Sequence, residues 1–139
     1  MELEHQVCTL ELAKRLKEFS MRQDTHFMWE GILQDVDRIR YTVKRFHDNH
    51  NPVRYAAFTV AELDQLLPTN IELKGNTGQL RIEPIDRGGR RHYEVGYWIA
   101  TDFLIQPMRD FNPADARAKM LIYLVENNLI TLEHSHQGT

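Results

Sequence analysis

Apolar residues recur along this chain with two different periods. Leu12, Leu16 and Phe19 follow one another at i, i+4 and i+7, the spacing of one helical face. Thr9 stands where a capping hydroxyl would begin that helix, accepting a bond from an unpaired backbone N–H. Glu11/Arg15 and Lys14/Glu18, each four apart, support its solvated side. After residues 21–24 the period shortens to two. Residues 26–33 are aromatic and β-branched enough for a strand, with Phe27, Trp29 and Leu33 on one face. The cleanest alternation follows, where Ile39, Tyr41 and Val43 interleave with Arg38, Arg40, Thr42 and Lys44, a strand with one wet face. Residues 34–37 suit the hairpin turn between these two strands.

Residues 47–52 break the pattern. The sequence Thr59-Val60-Ala61-Glu62 is then a capping box, and Phe58 ahead of it is placed to staple onto Leu63. Pro68 stops this short helix. Strands are predicted at 71–74, 79–85 and 92–100, with a further extended piece at 103–106. The glycine-bearing separators at 75–78 and 86–90 read as tight turns. In the third of these strands Tyr93, Val95, Tyr97 and Ile99 share a face. Asn112-Pro113 opens the last helix with a cap and a first-turn proline, and Asp115 adds favourable charge there. Leu121, Leu124 and Val125 make it the most apolar helix. Asn127-Asn128 is suited to end it with a left-handed residue that lays Leu129 against Leu124.

Strands joined by tight turns pair antiparallel, because parallel neighbours need long crossovers. The pattern therefore predicts a single α+β domain over residues 1–139. An antiparallel sheet of about four to six strands in hairpins carries two to three helices on one face, and residues 133–139 form a frayed tail. The 42% hydrophobic and 27% charged content over 139 residues exclude wholesale disorder. Residues 120–125 are the longest apolar run, far short of the ~20 a membrane helix needs, so no membrane association is expected. The acidic start lacks the layout of a secretory signal, and the expected location is cytoplasmic.

Candidate chemistry is thin. Cys8, the single cysteine, excludes an intrachain disulfide and a multi-cysteine zinc site, and reads as a small apolar residue near a helix start. The two serines, Ser20 and Ser135, lack the Gly-x-Ser-x-Gly context of an exposed nucleophile. Gly75-x-x-Gly78 is no phosphate loop. His47/His50 and His134/His136 offer imidazole pairs, but in a polar loop and in the tail around His134-Ser135-His136, with no carboxylate pinned beside them. Asp35/Asp37 suit a turn, and whether Asp102 meets Asp110 depends on the fold. No catalytic, cofactor-binding or metal-ligating residue is assigned, and an enzyme is not expected.

Net charge is mildly negative, 17 − 20 = −3, which argues against a general polycation but not against a local basic patch. Arg38, Arg40 and Lys44 project from one face of one predicted strand, and Arg87, Arg90 and Arg91 crowd a second hairpin. If the hairpins lie side by side, these cations border Trp98 or Trp29 and form a surface for an anionic partner or nucleic acid. The plainer alternative is a solvated strand face with arginines guarding an edge.

Three blocks carry a resemblance: residues 8–18 running on to Gln23-Asp24-Thr25, residues 57–63 with Leu66-Leu67-Pro68, and residues 114–124. Together they resemble a group of small proteins of unknown function encoded in phages and prophage-like regions. The resemblance spans roughly a third of the chain; it implies a mobile-element setting and brings no catalytic residues with it. The expected function is a non-catalytic interaction module for a macromolecular partner, protein before nucleic acid, with a homodimer compatible. The first alternative is a nucleic-acid-binding accessory protein using the basic hairpins. The second is an enzyme with an unrecognised site.

Overall fold

A computed structural model describes residues 3–19, 23, 25–35, 38–45 and 54–130. The described residues form α1 (Leu10–Glu18), β1 (Phe27–Asp35), β2 (Arg38–Arg45), β3 (Arg54–Ala57), α2 (Val60–Leu66), β4 (Asn70–Leu73), β5 (Asn76–Arg87), β6 (Arg90–Ile99), β7 (Asp102–Asp110) and α3 (Pro113–Glu126). Every strand pairing is antiparallel and the fold is α+β. The strands divide into two sheets, ordered β2-β1-β3 and β4-β5-β6-β7, where pattern alone suggested one. Alternation specifies which face of a strand is wet, but not which neighbour it pairs with. The short β3 went unpredicted because four residues are too few to display a period.

Helix ends follow the local rules. Thr59 accepts from the Glu62 N–H at 3.2 Å while Glu62 accepts from the Thr59 N–H at 2.9 Å, completing the capping box. Phe58 and Leu63 are buried in the same core, as the staple requires. Asn112 accepts from the N–H groups of Ala114 and Asp115. At the other end of α3, Asn128 adopts φ 58° and the N–H of Leu129 reaches the Leu124 carbonyl at 2.8 Å, closing a Schellman motif. Thr9 differs. It has the extended backbone of a cap, yet its side chain makes no cap bond.

The core is one buried cluster running from Cys8 through Leu16, Phe58, Leu63, Val95, Tyr97 and Ile105 to Leu121 and Leu124 of α3. The segment Val7-Cys8-Thr9, buried at Val7 and Cys8, ties the surrounding elements together. Cys8 N–H donates to the Phe58 carbonyl (2.9 Å), and the Cys8 carbonyl accepts from Trp29 Nε1 (3.0 Å). The Val7 carbonyl accepts from Asn112 Nδ2 (3.0 Å), and the Thr9 N–H donates to Asp115 Oδ1 (2.7 Å). Arg117, itself buried, joins α3 to α2 through Asp64 at 2.5 Å and also donates to the Pro113 carbonyl. The expected pairs within α1 do not form. Arg15 instead bridges to Glu126 of α3 at 2.7 Å, and Lys14 lies over tyrosine rings of the three-stranded sheet.

The second sheet is built on two-residue turns. Lys74 and Gly75 take φ 52° and 82°, and Gly88 and Gly89 take 56° and 79°, the positive pair of a type I′ turn. The first turn thus lies at 74–75, and Asn76–Gly78, expected within it, belong to β5. Gly78 is there for space: a Cβ would sit 2.9 Å from Leu104 Cδ2 and 3.3 Å from Tyr97 Cβ. No helix among the described residues is long and apolar enough to cross a membrane. The tail at 133–139 and the loop at 47–52 lie outside the described residues. Gly78→Ala should therefore lower stability by about 1–3 kcal/mol through overpacking. A urea-denaturation midpoint equal to that of the unaltered protein would refute this.

Candidate functional site

Among the described residues, Cys8, Tyr97, Asp110 and Asp115 are committed to structural contacts. Cys8 is wholly buried, and burial pushes its thiol up to about 12, so no thiolate is on offer near neutral pH. Asp102 and Asp110 stand at opposite ends of β7, eight residues or about 26 Å apart in an extended strand, and cannot share a reacting atom. Asp110 is used locally, accepting from the Asn112 N–H at 2.9 Å and pairing with Lys119 at 2.7 Å. Tyr97, buried beneath the sheet, donates to the Pro68 carbonyl at 2.7 Å, and burial raises its phenol. Among the described residues no group of three His, Cys, Asp or Glu is placed to hold a metal ion. Asp37, His47, His50, His134 and His136 lie outside those residues, as does Ser135.

Asp115 is a strongly perturbed carboxyl. Burial pushes it up to about 6, with Asp110 acting in the same direction, while the N–H and hydroxyl of Thr9 and the charge of Lys119 oppose. Its position in the first turn of α3 and its bond to Thr9 make it an anchor for the start of α1.

The seven candidate contact residues fall into three places. Arg38, Arg40 and Lys44 lie on β2 of the three-stranded sheet, where Lys44 is drawn to the buried Glu30 at 3.1 Å. Arg87, Arg90 and Arg91 gather at the β5–β6 turn of the other sheet. Trp98 is near the far end of β6, eight residues or about 26 Å along the strand from Arg90. The two basic groups thus belong to different sheets and do not border Trp98 together. Trp29 is committed to the core through Cys8.

What Trp98 does border is an open sheet face. Tyr93, Val95 and Tyr97 of β6 face inward with α3, so His92, Glu94, Gly96 and Trp98 face outward. Cross-strand register sets Gln79, Arg81, Glu83 and Ile85 of β5 beside them on one flank. Phe103 and Arg109 lie on the other. Trp98 meets Phe103 edge to face at 5.5 Å, and the Arg81 guanidinium lies 5.1 Å from the indole. Gly96 leaves room for this arrangement, since a Cβ there would come 3.1 Å from Trp98 Nε1 and 3.3 Å from Pro107. Phe103 is 48% exposed and Phe111, beneath Arg90 and against His92, 49%. On this face Arg109 pairs with Glu94 at 2.7 Å and Arg81 with Glu83 at 3.9 Å, whereas Arg87 and Arg90, at the turn end, form no ion pair among the described residues. Sequence reading flagged Trp98 but missed Phe103 and Arg81, although their alternation with inward residues was a usable signal.

Because folding raises the Asp115 pKa from its ordinary 3.8, the folded state holds that proton more tightly, and stability falls as pH rises from about 4 to about 6. Asp115→Asn cannot titrate, so relative to the unaltered protein it should gain up to about 3 kcal/mol between the acid and neutral ends of that window. Urea titrations at both ends check this, and a pH-independent difference contradicts it. Cys8 should be silent to a thiol reagent in the native protein and react fully once unfolded; rapid native labelling would show that the segment opens.

No family model, curated protein or solved structure matches this chain, so its function is argued from its residues and their geometry.

Proposed function

We propose that the chain is a non-catalytic interaction module of the mobile-element kind its helical blocks resemble, and that it meets a protein partner through the outer face of β5–β7. The observation that carries this reading is the Trp98–Phe103 pair on a sheet face that no helix of the described residues covers, flanked by Arg81 and Arg109, each matched by a carboxylate. Trp, Phe and Arg are the residues that anchor protein interfaces. Matched charge gives such a face little pull on a polyanion and a good fit to a mixed-charge protein surface.

The edges of the same sheet support docking by the face. Leu80 N–H points to the Thr69 carbonyl on the β4 side, and two-residue alternation turns the nitrogen of Pro84 to that same edge, where β4 no longer pairs. Pro107 occupies the outermost strand at the other side. Proline offers no N–H to an added strand, so β-augmentation is disfavoured at both edges.

A photocrosslinking residue in place of Gln79, opposite Trp98, tests the proposal in the cells that make the protein. Discrete protein adducts are expected. Trp98→Ala should reduce their yield about tenfold or more, the loss typical of an interface anchor. Adducts no different from those of a probe at Glu11, or unaffected by Trp98→Ala, would overturn it.

A further inference from the structure

A cleft of about 290 Å³ opens between α1 and β3, lined by Lys14, Lys17, Glu18 and Tyr55. Lys14 Nζ lies 4.9 Å from the Tyr41 ring centroid and 5.6 Å from that of Tyr55, and the two rings are 6.2 Å apart. Lys17 Nζ lies 4.9 Å from the Tyr55 ring and donates to the Arg54 carbonyl at 3.1 Å. Both ammonium groups are thus held in place by aromatic faces and a backbone oxygen. Neither forms an ion pair among the described residues, although Glu18 is within one helical turn of Lys14. An ammonium carries three donors, and these two keep most of theirs open.

The positive charge continues along β2. Arg45, on the same face of β2 as Tyr41, forms no ion pair among the described residues, while Arg40 projects from the opposite face. Tyr41 sits within this run of cations. Unmatched cations interleaved with aromatic rings along an open track are the arrangement that holds a single strand, whose phosphates take the charges and whose bases take the rings.

We propose that the α1–β3 cleft and the adjoining face of β2 bind single-stranded nucleic acid, with phosphates on Lys14, Lys17 and Arg45 and a base against Tyr41 and Tyr55. This surface is separate from the outer face of β5–β7 and does not rest on the reading of that face. It also differs from the two-hairpin patch suggested by sequence, since Arg87, Arg90 and Arg91 contribute nothing to it.

The test uses the full chain with labelled oligothymidine and oligouridine of about fifteen nucleotides, within the site sizes such proteins cover. Anisotropy is followed from low to physiological salt. Binding should weaken steeply with salt. Lys14→Ala with Lys17→Ala should lower affinity at low salt about tenfold or more and flatten the log–log salt slope by about 1.4, near 0.7 for each phosphate no longer neutralised. Tyr55→Leu should lower affinity about tenfold with the slope unchanged, because stacking releases no counterions. Arg91→Ala should change neither. Circular dichroism of each variant confirms that it is folded, and Tyr55→Phe, which keeps the ring, should restore binding should the leucine variant fail to fold. No binding of either oligomer at low salt would overturn the proposal. So would binding indifferent to the lysine and tyrosine changes, equal affinity for a free mononucleotide, or a lysine effect without any tyrosine effect.

Discussion

The fold depends on how three consecutive peptide groups are satisfied inside it. Val7 and Cys8 are buried in the core and Thr9 emerges from it at the start of α1; the Val7 carbonyl, both Cys8 backbone groups and the Thr9 N–H each have a partner. Those partners come from β1 (Trp29), the residue before the α2 cap (Phe58), the α3 cap (Asn112) and the first turn of α3 (Asp115). Leaving one such group unpaired costs on the order of 1–3 kcal/mol, a sizeable part of a small domain's stability. The segment therefore ties α1, α2, α3 and the three-stranded sheet to one another at once. It also explains why Thr9 does not act as its own cap. Its N–H is drawn to Asp115, and the start of α1 is fixed from the neighbouring helix.

That arrangement determines which surfaces remain. The helices are consumed in joining the sheets: α3 lies against β6 and β7, while α1 bridges α3 and β3. One face of the four-stranded sheet has no helix of the described residues over it, and α1 meets the three-stranded sheet along a line that leaves a cleft at Tyr55. The two exposed surfaces differ in electrostatic character for a local reason. On the first, cross-strand register places Glu94 opposite Arg109, beside the indole and its Arg81–Glu83 pair, and confines the unmatched Arg87 and Arg90 to the turn end. On β2 the register sets Arg40 against Ile32 and Arg45 against Phe27, so these two arginines face no acid across the ladder. Pairing register thus decides which cations are free.

The parts of this architecture legible in the sequence are those written into adjacent residues. The Thr59–Glu62 box, the Asn112-Pro113 start and the Asn128–Leu129 end each need only a few neighbouring side chains, and each forms as its sequence predicts. The inward faces of β6 and α3 were legible from period. The partition into two sheets was not, because the turn signals that join β1 to β2 and β5 to β6 say nothing of whether the two hairpins share a sheet. The same blindness affected the site. The six cations were visible as a class, but their convergence required two hairpins to be neighbours, and they belong to separate sheets. Arg15 and Lys14 show the effect at single-residue scale: helix spacing offers each a carboxylate four residues away, and the tertiary structure offers something better.

For Lys14 that alternative is informative about energetics. An exposed i,i+4 ion pair is worth only a few tenths of a kcal/mol. An ammonium over an aromatic ring is worth about 0.5–1 kcal/mol even where water has access, and Lys14 reaches two rings. The preference for Tyr41 and Tyr55 over Glu18 therefore requires no special pleading. It leaves the charge un-neutralised, because a ring quadrupole attracts a cation without cancelling it. An ion pair would have silenced that charge toward solvent, whereas the tyrosine rings hold it in a fixed place and keep it available. A cleft floored in this way is pre-organised for an anion, with the ordering of its lysines completed during folding and not left to binding.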